Sequence, residues 1–238
     1  MKTLRSFMLL LGLLLGSTVF YSCLDDDDND YFYDSIFDNL KAIVTIKPID
    51  DSSFYMQVDD TTTFYPEKPY ALDSLRETRA FIIYNYSDTK TPGYDHTVNI
   101  VRLDTLLTKD IAPDLGLEND TYYGTDPVGL NGNSIWNPDG VWIEDGYITF
   151  DFILYRGHND EAKHFMNLVQ SNSLDPYELE FRHNAHGDAQ LTLASGLVSF
   201  RLDKLPNTGG QTVKLKIKYK SLSSDNYKTI ELDYKSKN

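Results

Sequence analysis

From residue 41 onward the chain alternates between apolar and polar positions with a period of two. Ala42, Val44 and Ile46 interleave with Ile43, Thr45 and Lys47, and Pro48 ends the run. That pattern predicts a strand with one face in a core, because successive side chains of a strand point to opposite sides. Ser53–Val58, Thr61–Pro66, Arg79–Tyr86 and His96–Leu107 repeat it. Between Thr108 and Ser134 the alternation lapses among Asp114, Asn119, Asp120, Asp126, Pro127, Gly129, Asn131 and Gly132, residues that favour turns and loops. It resumes at Ile135–Trp136, Val141–Ile143, Tyr147–Tyr155, His164–Gln170, Tyr177–Arg182, Gly196–Leu202, Thr212–Tyr219 and Tyr227–Tyr234. Asn137-Pro138-Asp139-Gly140 is a turn in which proline presets one φ and glycine accepts a positive one. Only Leu72–Arg79 and Asn159–Met166 could hold a short helix. Strand-sized runs spaced about ten residues apart predict an all-β chain. The early runs suit a small OB-like five-stranded barrel over residues 39–112, and the later ones an antiparallel β-sandwich over 113–238.

The first residues follow another rule. Lys2 and Arg5 precede an uncharged apolar stretch from Phe7 to Gly16, too short to cross a bilayer and flanked as a secretory signal is. Phe20-Tyr21-Ser22-Cys23 follows, with the chain's one cysteine after a small residue. This resembles the lipobox of bacterial lipoproteins, although Phe20 and Tyr21 are bulkier than its usual residues. The resemblance implies removal of residues 1–22 as a signal peptide, a diacylglyceryl thioether on Cys23 and an acyl chain such as palmitate on its amine. One chain holds a protein only marginally at about 0.8 kcal/mol per buried methylene, and two or three hold it firmly. Asp25, Asp26, Asp27, Asp28 and Asp30 come next. Charges this dense repel each other and cannot pack, so residues 23–38 form an acidic tether. Such a run after a lipidated cysteine resembles the export signal that carries some lipoproteins to the outer face of the outer membrane. A calcium loop is the rival reading, but it needs a turn glycine, and after the acidic run none follows until Gly93.

Charge and composition narrow the chemistry. With 36 Asp+Glu against 22 Lys+Arg the net charge is −14, which opposes binding to nucleic acid. A single cysteine excludes an internal disulfide and a cysteine-rich zinc site. His183 and His186 are three apart, which on a strand sends them to opposite faces, and His158 and His164 lack zincin spacing. Ser195 lies outside a Gly-x-Ser-x-Gly elbow, and Gly209-Gly210 is a turn, not a phosphate cradle. No catalytic residue, metal ligand or cofactor site is therefore expected. Lys214, Lys216, Lys218 and Lys220 fall on every second residue and predict a solvated strand face. Trp136 and Trp142 flank the Asn137–Gly140 turn and are the candidates for ligand contact, by stacking on a glycan or docking a protein; the alternative is that both pack inside the sandwich.

The order of lipobox, acidic tether, five-strand unit and longer β unit resembles the NigD-like lipoproteins. Val58–Pro66, Glu77-Thr78-Arg79-Ala80-Phe81-Ile82, Leu106-Leu107-Thr108-Lys109, His164–Val169, Leu179–Asn184 and Leu197–Leu202 carry the likeness. Glu77-Thr78 replaces the usual Gly-Gln before the arginine. The resemblance implies an N-terminal OB domain and a C-terminal β-sandwich but no catalytic residues, since the family has no established activity. The expectation is a surface-exposed, lipid-anchored protein of the outer membrane that binds an envelope protein or a glycan. An extracellular polymer hydrolase and a bacteriocin-associated accessory or immunity protein are the alternatives.

Overall fold

Val44 and Ile46 have no exposed surface, while Lys47 between the core and the strand end reaches out, as the alternation requires. The computed structural model describes residues 39–237 except 73, 159–161 and 225. The signal peptide, Cys23, Asp25–Asp28 and the rest of the acidic tether lie outside the described residues.

Five strands close into a barrel: β1 (Leu40–Pro48), β2 (Phe54–Gln57), β3 (Thr63–Pro66), β4 (Thr78–Tyr86) and β5 (His96–Thr105). Their order is β1-β2-β3-β5-β4, and β4 returns to pair with β1. This is the Greek-key order of an OB barrel, in which closure leaves no open edge. The interior holds Val44, Ile46, Phe54, Met56, Phe64, Ala80, Ile82, Val98 and Leu103. Asp59 fixes the β2–β3 turn by accepting from the N–H groups of Thr61 and Thr62, both at 2.8 Å.

The remaining strands are β6 (Leu107–Asp110), β7 (Gly129–Leu130), β8 (Val141–Glu144), β9 (Tyr147–Arg156), β10 (Phe165–Gln170), β11 (Glu178–Asn184), β12 (Thr192–Arg201), β13 (Val213–Lys220) and β14 (Tyr227–Tyr234). They form one sheet ordered β10-β11-β13-β14 and another ordered β6-β12-β9-β7, with β8 also on β9. Most pairs are antiparallel, but β6 with β12 and β11 with β13 are parallel. Between the sheets Phe150 stacks on Phe181 at 4.0 Å, and Phe200 meets Phe150 edge-on at 6.0 Å.

Several local expectations change. Leu107–Asp110 pairs with β12, so the crossing into the sandwich falls at Leu106 and not at residue 112. The alternation runs on through both strands and hides this step, which Leu106 marks by donating its N–H to the Arg79 carbonyl, 2.8 Å away. Ile135–Trp136 is not a strand, and β4 begins at Thr78 where a helix over Leu72–Arg79 could have lain. The one α-helix among the described residues, α1, is Asn119–Tyr123 in the stretch expected to be loop. β12 begins at Thr192, well before Gly196. Gly196 stands mid-strand because the Phe152 ring occupies its side-chain position, 2.8 Å from where a Cβ would sit.

The aromatic stack is where the sandwich is most sensitive. Phe150→Ala should cost about 3–5 kcal/mol by opening a cavity between the sheets. Urea denaturation checks this; a loss below about 1 kcal/mol would mean that the stack is not central to the core.

Candidate functional site

The outer wall of the barrel on β1 and β4 meets the end of the five-stranded sheet, and charge collects where they touch. Arg79 faces outward from β4 and is fully buried. Its Nη1 donates to the Thr45 hydroxyl at 3.1 Å and its Nη2 to Glu144 Oε2 at 2.9 Å. The Trp142 indole also donates to Glu144 Oε2, at 3.0 Å. Burial pulls the Arg79 guanidinium below its ordinary pKa while Glu144 opposes that pull. Burial likewise raises Glu144 against the opposing pull of Arg79.

The neighbouring β8–β9 turn is Asp145-Gly146, with φ of 50° and 79°. Two central residues with positive φ make a type I′ hairpin, which an Asp-Gly pair adopts readily. The turn buries Asp145, whose side chain is 1% exposed, between two lysines. Lys47 Nζ lies 3.1 Å from Asp145 Oδ2, a contact of charge and not a directed hydrogen bond, and 2.9 Å from Glu77 Oε1. Lys237 ion-pairs with the same Asp145 from the end of the chain. Burial pushes Asp145 upward, yet Lys237, Thr45 and Lys47 together hold it below the usual carboxylate value. Burial depresses Lys47, but Glu77 and Asp145 outweigh it and raise its pKa.

Tyr147 donates its hydroxyl to Glu77 Oε1 at 2.8 Å. Arg201 donates to Asp110 at 3.1 Å and to the Glu77 carbonyl at 3.1 Å, with its guanidinium over the Tyr147 ring. Lys47, Glu77, Asp145, Tyr147, Arg201 and Lys237 thus line a cleft of about 350 Å³ between barrel and sandwich. A general acid or base must be free to meet a substrate proton. Here Glu77, Glu144 and Asp145 are each held by a cation, which makes the cluster a clasp joining the two β units.

The comparisons agree with this two-part build. Residues 43–106 match the NigD-like N-terminal OB domain, and residues 110–234 match the NigD-like C-terminal beta sandwich domain. The chain belongs to the NigD-like family. A protein described as toxin-related from Parabacteroides distasonis is 32% identical, with a TM-score of 0.70 over 83% of this chain and 94% of that one. A NigD-like immunity protein from Bacteroides caccae is 20% identical, with a TM-score of 0.61 over 83% of this chain and 98% of that one. A protein described as a lipoprotein from Bacteroides fragilis is 15% identical, with a TM-score of 0.61 over 84% of this chain and 100% of that one. The last two show the shared fold. No curated protein matches the chain.

The NigD-like chain places its tryptophans differently from an open binding tip. Trp142 is buried on β8 and engages Glu144. Trp136 is half-buried and meets Phe81 of the barrel edge-on at 5.5 Å. Both therefore belong to the junction and not, as one alternative held, to the sandwich interior. Cys23 and Asp25–Asp28 lie outside the described residues. His186 sits exposed in a turn at φ 50°, while His183 points inward from β11. His183 Nδ1 donates to the Pro127 carbonyl at 3.0 Å, its Nε2 lies 2.8 Å from His164 Nδ1, and His164 Nε2 lies 3.0 Å from Asp188 Oδ2. Gly157 N–H also donates to Asp188, so the chain of groups ties β9, β10, β11 and the loop before β7 together. The lysine stripe of β13 is paired: Lys214 with Asp233, Lys216 with Asp175 and Glu178, Lys218 with Glu180. Among the described residues no helix is long and apolar enough to cross a membrane.

Reading by motif passes over Arg79, Glu144, Asp145 and Tyr147, because they converge only in three dimensions. Asp145-Gly146 between two β runs was the one local signal. Asp145→Asn keeps the size and turn preference while removing the charge, leaving Lys47 and Lys237 without their buried partner. It should cost about 3 kcal/mol in urea denaturation, and a change below about 0.5 kcal/mol would show that the charge is not needed.

His183 gives a separate pH dependence. Burial holds its pKa below the ordinary value, with His164 adding to the fall and the Pro127 carbonyl and Asp126 opposing it. The unfolded chain then binds a proton below about pH 6.5 that the folded chain refuses, so stability should fall as pH drops from about 6.5 toward 5. His183→Gln should flatten that slope whatever its effect on stability at pH 7; an unchanged slope would assign the effect elsewhere.

Proposed function

We propose that this NigD-like protein is a lipid-anchored binding protein of the outer membrane. Cys23 carries the anchor, Asp25–Asp28 direct it to the cell exterior, and the folded part engages an envelope protein or a glycan without catalysis. The lipobox-like Phe20–Cys23 segment and the acidic run behind it support the address. The observation that carries the non-catalytic reading is the junction's charge cluster, where Glu77, Glu144 and Asp145 are paired with Lys47, Arg79 and Lys237. The similarity to a lipoprotein-described structure of B. fragilis accords with the anchor.

The 32% identity to the toxin-related P. distasonis protein, together with the immunity protein of B. caccae, favours a second reading. In it the bound partner is a bacteriocin or its target, and the protein serves as an accessory or immunity factor. Both readings require binding outside the cell.

Cys23→Ser tests the address. The variant should lose palmitate labelling and leave the membrane fraction, and retention of both would contradict the anchor. Crosslinking on intact cells should then capture an envelope partner of the wild type. Polysaccharide cleavage by the purified protein, with no partner captured, would replace the binding reading by a hydrolase.

A further inference from the structure

The edge of a sheet presents free N–H and C=O groups that invite another strand, so it is ordinarily covered, cut short or broken. The four-stranded sheet β10-β11-β13-β14 has two such edges. At one, Ala112 covers β10, donating its N–H to the Leu168 carbonyl at 2.8 Å and accepting from the Gln170 N–H at 3.0 Å. The other is β14, eight residues long with no proline or glycine to interrupt it. The bonds of β13 show which groups of β14 stand open. Lys216 donates its N–H to the Tyr177 carbonyl beside β11, at 2.8 Å. By alternation Leu215, Ile217 and Tyr219 turn theirs to β14, where Leu232, Ile230 and Lys228 lie opposite. Thr229, Glu231 and Asp233, with Tyr227 at the strand's start, therefore turn their backbone groups outward. No backbone bond from another segment among the described residues takes them up.

This edge is complementary to itself. Tyr227, Thr229, Glu231 and Asp233 are exposed, while Ile230 and Leu232 are half-buried against the core. Before Ile230 the open residues are uncharged, and after it they are acidic. Two copies laid antiparallel about Ile230 set Thr229 of each beside Glu231 of the other, and Tyr227 beside Asp233. Each such pair exchanges two backbone hydrogen bonds. No like charges meet, whereas a pairing centred on Glu231 would oppose two carboxylates. Ile230 then meets its own copy on the two-fold axis, as an isologous interface requires. Each acidic half also brings counter-charges from β13, since Lys214 ion-pairs with Asp233 at 2.7 Å and Lys216 lies beside Glu231. The chain's excess of acid is therefore not concentrated at the seam. A foreign strand would have to match the same neutral and acidic halves, which a second copy supplies by symmetry.

We propose that β14 pairs with β14 of a second copy of this chain, joining two sandwiches through one continuous sheet. The pairing stands apart from the binding-protein reading and holds whatever the ligand is. Sedimentation equilibrium of the purified mature protein, in detergent matched to the solvent density, should give twice the mass of one chain. Thr229→Pro removes an outward N–H and leaves the bonds to β13 intact, as an edge strand tolerates. It should raise the dissociation constant about a hundredfold, through two symmetry-related hydrogen bonds lost. Glu231→Gln should leave the dimer in place. Far-ultraviolet circular dichroism checks that each variant is folded. Should Thr229→Pro unfold the sheet, an oxidation experiment in the Cys23→Ser chain decides. Ile230→Cys faces its own copy across a non-hydrogen-bonded pair, with Cα atoms about 4.5 Å apart, a separation that a disulfide spans. It should form a covalent dimer, and Leu232→Cys, which would lie opposite Lys228, should not. A single-chain mass for the wild type, a dimer indifferent to a folded Thr229→Pro, or linkage of Leu232→Cys as readily as Ile230→Cys would each overturn the proposal.

Discussion

The guanidinium of Arg79 is buried where two β units meet, and a buried charge is tolerated only beside an opposite one. The barrel supplies the cation and the sandwich supplies Glu144. Neither unit can leave the other without stranding its half of the pair. Arg79 Nε has no hydrogen-bond partner among the described residues, so the guanidinium depends all the more on Thr45 and Glu144. Lys47 with Asp145, Tyr147 with Glu77 and Arg201 with Asp110 extend the same logic around the cleft. These shared charges join the two β units.

That coupling bears on function. The junction engages Glu77, Glu144 and Asp145, and it takes up both tryptophans, Trp142 through Glu144 and Trp136 through Phe81.

Much of the architecture was legible in the alternation of apolar and polar residues. The β1 pattern Ala42-Val44-Ile46 and the β13 pattern Val213-Leu215-Ile217 both appear as written, because burying one face of a sheet dictates period two. The β5–β6 step was hidden, since a strand leaving one sheet and entering another keeps the same periodicity. α1 was hidden as well, because five residues carry too few turns for a helical pattern to emerge. The tryptophans stood out as ligand candidates because aromatic residues beside a turn look exposed; only the barrel's arrival over Trp136 and the Glu144 carboxylate beside Trp142 explain their covering. The clasp itself joins positions 47, 79, 144 and 237, and no local motif connects residues so far apart.

The account turns on whether the buried arginine makes the two units unfold together. Tryptophan fluorescence reports the junction, where both tryptophans lie, while far-ultraviolet circular dichroism reports all the strands. In urea the wild type should show coincident transitions by the two probes. In Arg79→Met the fluorescence transition should move to lower urea and separate from the dichroism transition. Coincident curves with an unchanged midpoint in Arg79→Met would contradict the account.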